Sequence, residues 1–231
     1  MRNHARMKPK YKELHEARYR EIVEKGLKGW GGNQVPEREK YWTDYWAEFV
    51  KDFKPPDKGE VLELGSGAGN ISAIIARHGF NVTGIEISPT AVQIASKRNE
   101  KLENLRFFEM NVTDLSRFED KTFDIVFDGL CLHCIIGEDR SLAFKEIHRV
   151  LKPGGFFMLN SICDEPKDKE IIKNYDSVMR CAFSDGAPYR YFGRKESLIG
   201  EIASHGFEIL RERVEVKPNG DSLRAIARRI P

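Results

Sequence analysis

Two carboxylates and three alternating glycines carry the clearest chemical signal in this chain. The segment 61–70, VLELGSGAGN, is an apolar run that includes Glu63 and ends in a G-x-G-x-G loop. Glycine adopts positive φ and has no Cβ, so such a loop can turn sharply from a strand into a helix and let a ligand lie against its backbone. Seventeen residues after the last glycine, a second apolar run reaches Glu86. In a βαβ unit this position offers a carboxylate to ribose hydroxyls, which predicts a nucleoside site.

The glycine spacing bears on which nucleoside binds. A dinucleotide site has the spacing G-x-G-x-x-G and places a pyrophosphate at the N-terminus of the following helix. This chain has G-x-G-x-G followed by Asn70. Glu63 would put a negative charge beside the loop, which disfavours a pyrophosphate and favours a cationic ligand with an ammonium or sulfonium group. A nicotinamide oxidoreductase is therefore disfavoured.

The segment resembles the first motif of class I S-adenosylmethionine-dependent methyltransferases, hh[DE]hGxGxG, where h is apolar. The resemblance covers residues 58–160 well and the C-terminal part in pattern only. It implies S-adenosylmethionine as cofactor and an α/β fold, a Rossmann-like, doubly wound, seven-stranded sheet of order 3-2-1-4-5-7-6 with strand 7 antiparallel. It also implies that the first loop contacts the methionine portion and the ribose through Glu63, Gly65, Ser66, Gly67 and Gly69.

Further cofactor contacts are expected where the next strands end, because open α/β sheets bind ligands at the carboxyl ends of their strands. Glu86 would accept from both ribose hydroxyls, and Ile87 would line the adenine. By resemblance, Asn111 stands where the family often has an acidic residue contacting the adenine amino group; its amide oxygen can still accept, and a surface turn is the alternative. The Val112 backbone N–H would reach a ring nitrogen, and Asp128 would contact the methionine ammonium.

His133 follows the fourth predicted strand, where many related small-molecule enzymes carry a histidine. Methyl transfer is an in-line displacement at a sulfonium carbon, so the enzyme mainly aligns the reactants and excludes water. A general base matters only if the acceptor must lose a proton, and an imidazole with an unperturbed pKa of ~6.5 can take it. His133 is the candidate catalytic residue; a histidine that packs or orients the substrate is the alternative.

The four cysteines predict neither a metal site nor a disulfide framework. Cys131 and Cys134 have the C-x-x-C spacing of zinc and redox sites, but the sequence offers no second C-x-x-C or H-x₃₋₅-H to complete four zinc ligands. Cys163 and Cys181 are unevenly spaced from them. We therefore expect packing roles, no metal, and a reducing cytoplasm.

Periodicity predicts the elements that must position these residues. From residue 58 on, apolar runs and amphipathic segments alternate with short connections, which predicts a parallel sheet with helices on both faces. The predicted strands are 60–64, 81–87, 105–110, 123–127, 156–161, 207–216 and 222–230. The predicted helices are 70–78, 89–101 and 141–151, the second begun by Ser88-Pro89 and the last stopped by KPGG at 152–155. KPNGD at 217–221 predicts a hairpin turn.

We interpret residues 1–57 as an N-terminal helical cap and 58–231 as the methyltransferase domain. In residues 37–53 a broad apolar stripe predicts a helix that closes over the cofactor, with Trp46 reaching the methionine end or the substrate, or packing in the core. Its members are Trp42, Trp46, Phe49, Val50 and Phe53. Residues 163–194 follow the fifth strand, where the family often carries a substrate-covering insertion. Its aromatic and basic cluster, Tyr189 to Phe192, can cage an aromatic or anionic substrate or pin the loop to the core.

Composition sets outer bounds on function. The 231 residues are 40% hydrophobic and 32% charged, which fits one globular α/β domain with appendages. No apolar run approaches the ~20 residues that cross a bilayer, and the N-terminus has no apolar secretory region. The net charge is only +2, although nine Lys/Arg against four Glu give the first 28 residues +5. That segment is interpreted as an amphipathic helix with a solvated basic face, or alternatively as a basic arm for RNA.

The sequence thus predicts a cytoplasmic S-adenosylmethionine-dependent methyltransferase that acts on an N, O or S nucleophile of a small molecule. We expect no nucleic-acid or membrane partner, and the sequence does not indicate an oligomeric state. Two alternatives stay open: an RNA or protein methyltransferase that uses the basic N-terminal arm, and a non-catalytic S-adenosylmethionine-binding module that regulates a partner.

Overall fold

The computed structural model describes residues 9–27, 29–30 and 35–230. Within them, ten strands are formed: β1 Glu60–Leu64, β2 Asn81–Glu86, β3 Leu105–Glu109, β4 Phe123–Gly129, β5 Leu151–Cys163, β6 Tyr175–Asp176, β7 Cys181–Ser184, β8 Ala187–Tyr191, β9 Phe207–Glu215 and β10 Asp221–Arg229. The described helices are α1 Tyr11–Glu24, α2 Val35–Phe53, α3 Asn70–Arg77, α4 Pro89–Arg98, α5 Glu138–Val150, α6 Lys169–Lys173 and α7 Lys195–Ser204.

Seven strands form the main sheet in the order β3-β2-β1-β4-β5-β10-β9. Strands β1 to β5 pair in parallel, and β10 runs antiparallel to both β5 and β9. The fold class and strand order predicted from the sequence are confirmed, including the antiparallel last strand. β1 pairs with β2 on one side and with β4 on the other, and the strand order reverses between β1 and β4. Sheets of this kind bind ligands in the crevice at such a reversal, which the carboxyl ends of β1 and β4 border here.

Local signals account for the helix starts. The Ser88 side chain accepts a hydrogen bond from the Ala91 backbone N–H at 3.1 Å, and Pro89 occupies the first turn of α4, as predicted. At α3, Gly69 takes a left-handed conformation at the N-cap, with φ of 77°. The loop before α3 therefore bends through glycine, and α3 begins directly behind it.

The aromatic stripe of α2 packs against the sheet. Trp42, Trp46 and Phe49 are buried, and both tryptophan rings meet the Phe127 ring of β4 edge-on at centroid distances of 5.4 Å and 6.2 Å. The Phe49 ring meets that of Phe156 at 5.4 Å. Burying such large side chains contributes about 1.5–3 kcal/mol each, so α2 is anchored firmly to this face. Whether residues 1–57 form a separate unit stays a prediction.

β5 differs from its predicted bounds. It begins at Leu151, directly after α5, and so contains the segment 152–155 that was expected only to stop the helix. Leu151 pairs with Phe123, but the next pair along the ladder joins Ile125 to Phe156. The glycine-rich segment bulges out of the ladder, and pairing resumes beyond it. Glycine without a side chain to pack is tolerated at such a bulge.

The segment 163–194 forms a small sheet of its own, in the order β6-β7-β8. Arg180 fastens it to the end of β5, because its guanidinium donates to the Phe192 carbonyl at 2.7 Å and to the Asp164 carbonyl at 2.9 Å. The same guanidinium pairs with Glu165 at 2.7 Å. β8 is thereby held above the carboxyl ends of the main strands.

Candidate functional site

The glycine loop is a backbone cradle that side chains would fill. Gly65 and Gly67 have φ of 62° and 54°, in the region that side chains rarely adopt. A Cβ on Gly65 would lie 2.7 Å from the Cβ of Cys131, and one on Gly67 would lie 2.3 Å from the Tyr19 hydroxyl. Ser66 between them is buried, and its Oγ has no hydrogen-bond partner among the described residues. The loop thus offers bare backbone and an unpaired hydroxyl to a ligand.

Glu86 lies at the end of β2, facing the loop. One of its oxygens accepts from the Gly67 N–H at 3.1 Å, and the other accepts from the N–H groups of Ile87 at 2.8 Å and Ser88 at 3.0 Å. These bonds fix the carboxylate in one orientation. A carboxylate has about four acceptor positions, so beside these three donors it keeps about one for a ligand hydroxyl at the cavity it lines. The predicted contact with both ribose hydroxyls stays a prediction.

Two further carboxyl groups are buried beneath the loop. Burial raises the pKa of Glu63 to about 8, and the charges of Asp128 and Glu86 add to this increase. A hydrogen bond from the Ser72 hydroxyl acts in the opposite direction and lowers the pKa. Burial likewise raises the pKa of Asp128 to about 7, although backbone N–H donors from Cys131 and Leu132 and the charge of Arg140 oppose this. Both groups are therefore poised to ionise when a cation lies nearby.

Asp128 is buried behind the residues that line the two cavities of the site. Its Oδ1 accepts from the backbone N–H of Cys131 at 2.6 Å and of Leu132 at 3.1 Å, which starts the short 3₁₀ turn Leu132–Cys134. Its Oδ2 is buried without a partner among the described residues. Asp128 itself does not line a cavity, whereas the next residue, Gly129, does. The unpaired oxygen fits the predicted contact with an ammonium group, which stays a prediction.

Two adjacent cavities border these groups. The smaller, of about 120 Å³, lies on the glycine loop. Its lining includes Glu63, Gly65, Ser66, Gly67, Asn70 and Trp42. The larger, of about 300 Å³, extends past Glu86 toward the 3₁₀ turn and β8. Tyr19, Trp30, Arg38, Gly65 and Gly129 line both cavities, so an elongated ligand can lie across the two.

The predicted adenine contacts come together in the larger cavity. Ile87, Asn111 and Val112 all line it, beside Met110. The Asn111 side-chain oxygen accepts from the Thr113 backbone N–H at 3.1 Å. Asn111 is therefore both a turn-forming residue and a cavity residue. The predicted contact needs the amide oxygen to accept from the adenine amino group, for which its second lone pair is left, and it stays a prediction.

His133 lies at the other end of the larger cavity. It is buried, and its Nδ1 has no hydrogen-bond partner among the described residues. Burial lowers the pKa of this imidazole well below its usual value, and the charge of Arg190 adds to the effect. His133 is thus neutral at physiological pH, the form that can accept a proton.

Arg140 fixes the turn that carries His133. Its guanidinium donates to the carbonyls of Leu132 at 2.6 Å and Ile135 at 3.2 Å. It also forms a two-pronged ion pair with Glu201 of α7, at 2.8 Å and 2.6 Å. Bidentate pairs of this kind add geometric precision as well as energy. Sequence patterns do not indicate this arrangement, because Arg140 and Glu201 lie 61 residues apart.

The two cysteines of the C-x-x-C spacing border the cavity as uncharged thiols. Burial raises the pKa of Cys131 well above its usual value and that of Cys134 to about 12. Among the described residues, no group of three or more His, Cys, Asp or Glu could hold a metal ion. All four cysteines are free. The expectation of no metal stays a prediction.

Trp46 lies apart from the cavities. Its ring packs edge-on against Phe80 at 5.3 Å, and it lines neither cavity, so the core interpretation describes its surroundings. Trp42, one turn earlier on α2, lines the smaller cavity instead. A helical stripe predicts which face is buried, but it does not predict which ring of that face reaches a ligand.

One face of α1 forms a wall of the larger cavity that the sequence analysis did not identify. Tyr11, His15 and Tyr19 recur every four residues and all line this cavity. Glu16 docks the helix, because its carboxylate accepts from the Ser88 hydroxyl at 2.8 Å and the Thr90 hydroxyl at 2.7 Å. The i, i+4, i+8 spacing of ring-bearing residues was the available signal. Arg38 of α2 and Arg190 of β8 complete the wall.

Comparison with known families explains this geometry. Residues 62–159 match a protein family described as "Methyltransferase domain". This segment of the chain therefore resembles a methyltransferase domain. S-Adenosylmethionine is the methyl donor of this family. The matched segment of the methyltransferase domain runs from β1 to β5 and so contains the glycine loop, Glu86, Asp128 and His133.

Relatives with curated names share this segment of the methyltransferase. A demethylmenaquinone methyltransferase of Tropheryma whipplei is 41% identical over 96 residues, 42% of this chain and 38% of that protein. A sterol 4-C-methyltransferase of Caenorhabditis elegans is 32% identical over 133 residues, 55% of this chain and 38% of that protein. The chain thus spans less than half the length of these two curated relatives.

A solved structure extends the likeness in fold beyond the matched segment. The Burkholderia thailandensis 1,6-didemethyltoxoflavin-N1-methyltransferase superposes with a TM-score of 0.70, over 96% of this chain and 89% of its own, at 20% identity. At that identity the likeness shows the fold of the methyltransferase alone. Within the part of the chain that the structure describes, no helix is both long and apolar enough to cross a membrane.

Proposed function

We propose that this protein transfers a methyl group from S-adenosylmethionine to a nucleophile of a small molecule. One observation carries the proposal: the glycine loop and Glu86 border the same pair of adjoining cavities as the buried His133. A donor that lies along the loop would therefore point its reactive end toward a histidine and an enclosed space. The bound cofactor supplies an electrophilic methyl group on a sulfonium centre.

The residues present fit that cofactor. A side chain at Gly65 or Gly67 would collide with Cys131 or with the Tyr19 hydroxyl, so only glycine fits this loop, and Glu86 keeps about one acceptor position for a ribose hydroxyl. The unpaired Oγ of Ser66 is a buried polar atom on the smaller cavity that a ligand can satisfy. A cation near Glu63 would favour its ionised form. Ile87, Asn111 and Val112 would hold the base.

His133 is proposed as the group that accepts the proton of the acceptor. Its neutral imidazole borders the larger cavity, and its buried Nδ1 has no hydrogen-bond partner among the described residues. The proton would leave the nucleophile as that atom attacks, and Nδ1 would hold it at a buried site away from solvent. Arg140 would act as a positioning residue for His133, through the carbonyls of Leu132 and Ile135.

The acceptor atom is proposed to be N, O or S, and carbon is the second candidate. The carbon candidate rests on relatives whose names specify it, a sterol 4-C-methyltransferase and a ubiquinone/menaquinone C-methyltransferase. A neutral histidine can take a proton from an activated carbon as well as from a hydroxyl, an amine or a thiol. The position of the new methyl group in the product decides whether the acceptor atom is N, O, S or carbon.

RNA recruitment by the N-terminal arm is disfavoured by the ion pairs of α1. Arg20 pairs with Glu16 at 2.8 Å, Arg18 and Lys25 pair with Glu21 at 2.5 Å, and Lys12 pairs with Glu109 at 2.5 Å. Of the remaining basic positions of the arm, Lys10 is described, and those in residues 1–8 and 28 lie outside the described residues. Phosphate contacts give an affinity that falls steeply with salt, so turnover that is insensitive to salt excludes RNA.

The test is release of S-adenosylhomocysteine over a library of amines, phenols, thiols and carbon acids, with the product identified by mass spectrometry. Methyl transfer to any small acceptor that His133→Asn slows by 10²-fold or more, within the usual range for a general base, supports the proposal. Tight S-adenosylhomocysteine binding without turnover across the library would favour the regulatory module instead. No binding at millimolar S-adenosylhomocysteine would contradict the proposal itself. A cytoplasmic location stays a prediction.

A further inference from the structure

The lining of the larger cavity carries an excess of positive charge. Among its described lining residues the only carboxylate is Glu86, and three backbone N–H groups already donate to it. Two arginines, Arg38 and Arg190, line the same cavity. Neither forms an ion pair with a carboxylate of the described part of the chain. A half-buried guanidinium without an anion is costly unless a ligand supplies one.

The two arginines lie at different ends of the site. Arg38 also lines the smaller cavity on the glycine loop, which places it toward the cofactor. Arg190 lines only the larger cavity and lies close enough to His133 for its charge to lower the pKa of that histidine. Arg190 is therefore beside the proposed base and away from the glycine loop.

Arg190 is not needed to hold its own strand in place. The small sheet is fastened by Arg180, which pairs with Glu165 and with two carbonyls. Beyond its backbone pairing with Ala182, Arg190 contacts the ring of its neighbour Tyr189, whose centroid lies 5.3 Å from the guanidinium carbon. The guanidinium fork thus remains available on the cavity side.

Several other polar groups at this end are already engaged. The Tyr11 hydroxyl accepts from the Ile136 backbone N–H at 2.9 Å, and the His15 Nδ1 lies 2.7 Å from the Tyr11 carbonyl. The rest of the lining there is apolar, through Leu130, Ile135 and Ile162. Apart from the cysteine thiols, the described polar groups left for an acceptor at this end are the Arg190 guanidinium, the unpaired His133 Nδ1 and the second ring nitrogen of His15.

We propose that the methyl acceptor is a compact, largely apolar molecule bearing a carboxylate, and that Arg190 binds this carboxylate while His133 faces the nucleophile. The planar guanidinium matches a carboxylate with two parallel hydrogen bonds, which lysine cannot reproduce. The cavity of about 300 Å³ is shared with the nucleoside, so the acceptor is small. The inference rests on the proposed function and adds the class of substrate.

Binding of simple probes tests the inference independently of turnover. Calorimetric titration of the full chain, saturated with S-adenosylhomocysteine, would compare benzoate, benzamide and phenyl phosphate. We expect benzoate to bind at least 10-fold more tightly than benzamide or phenyl phosphate. Arg190→Gln should abolish this preference, and Arg190→Lys should restore only part of it. The matched control is Arg194→Gln, an exposed arginine four residues along, which should behave as wild type.

The outcomes separate the two proposals. Equal binding of benzoate and benzamide, or a benzoate affinity unchanged in Arg190→Gln, would overturn the carboxylate assignment. Tighter binding of phenyl phosphate than of benzoate would also overturn it, in favour of a phosphorylated acceptor. Failure of S-adenosylhomocysteine to bind any variant would contradict the proposed function, and the same titrations without it would still test Arg190. In turnover, Arg190→Gln should raise KM for a hydroxybenzoate at least 10-fold while leaving KM for its methyl ester unchanged.

Discussion

At the cofactor end of the cavities, Gly65, Gly67 and Glu86 all come from one continuous β-α-β segment, and their backbone is tied together by hydrogen bonds within it. At the acceptor end, His15, His133 and Arg190 come from three segments far apart in the chain. The first end is closed by backbone geometry, whereas the second is assembled by packing α1 and β8 over the sheet. The comparison predicts that the cofactor end is intolerant of local change and the acceptor end is open to variation.

The largest effect is expected from a methyl group on the glycine loop. In Gly65→Ala, the new Cβ would lie 2.7 Å from the Cβ of Cys131, in addition to the positive φ. We expect S-adenosylhomocysteine binding to fall by more than 100-fold. The control is Gly79→Ala, which has φ of 93° but no atom within 4 Å of its Cβ. It should lose about 1–2 kcal/mol of stability and no ligand affinity. Equal affinities in both variants would break the comparison.

A smaller effect is expected on the number of protons that the cofactor end releases when S-adenosylmethionine binds. The pKa of Glu63 is raised to about 8 by burial and that of Asp128 to about 7, so both are partly protonated at pH 7. A cationic ligand favours the ionised forms, and binding of S-adenosylmethionine should release about one proton. Calorimetry at pH 7 in buffers of different ionisation enthalpy measures this release. It should fall in Glu63→Gln; the same release in both proteins would exclude Glu63 as its source.

The same shifts predict the pH dependence of stability without ligand. Between pH 4.5 and 8 the folded state holds a proton on Glu63 that the unfolded state has lost, because its pKa is raised from 4.5 to about 8. The free energy of unfolding contributed by this group therefore decreases as pH rises through that range. Glu63→Gln should flatten the decrease in denaturant titrations. An unaltered slope would contradict the assigned burial effect.

The smallest effect is expected where α1 docks at the acceptor end. Glu16 is partly desolvated, but hydrogen bonds from Thr90, Arg20 and Ser88 outweigh this and lower its pKa to about 2. Its contribution to stability is therefore present above pH 4.5 and lost as pH falls toward 2. Glu16→Gln should cost about 1 kcal/mol of stability and raise the acceptor KM more than the Kd of S-adenosylhomocysteine. Glu13→Gln on the exposed side of α1 is the control. An equal loss in both would show that α1 docking does not depend on Glu16.

The same contrast explains what the sequence could predict. The strand order and the placement of the glycine loop beside Glu86 follow from local turn chemistry and short β-α connections, and the structure confirms the fold. The wall formed by Tyr11, His15 and Arg190 depends on packing between distant segments. Periodicity identified the buried stripe of α2 but not that Trp42, rather than Trp46, reaches a cavity.

The most direct test of the account is calorimetric titration of S-adenosylhomocysteine into wild type, Glu86→Gln and Glu103→Gln. Glu86 is the carboxylate assigned to the ribose hydroxyls, and Glu103 is an exposed glutamate in the turn before β3. Losing one charged hydrogen-bond acceptor costs about 1.5–3 kcal/mol, which is about a 10- to 100-fold change in affinity. The account predicts that Glu86→Gln binds S-adenosylhomocysteine more weakly by this factor, and that Glu103→Gln binds it as tightly as wild type. Equal affinities in all three proteins would contradict the cofactor site.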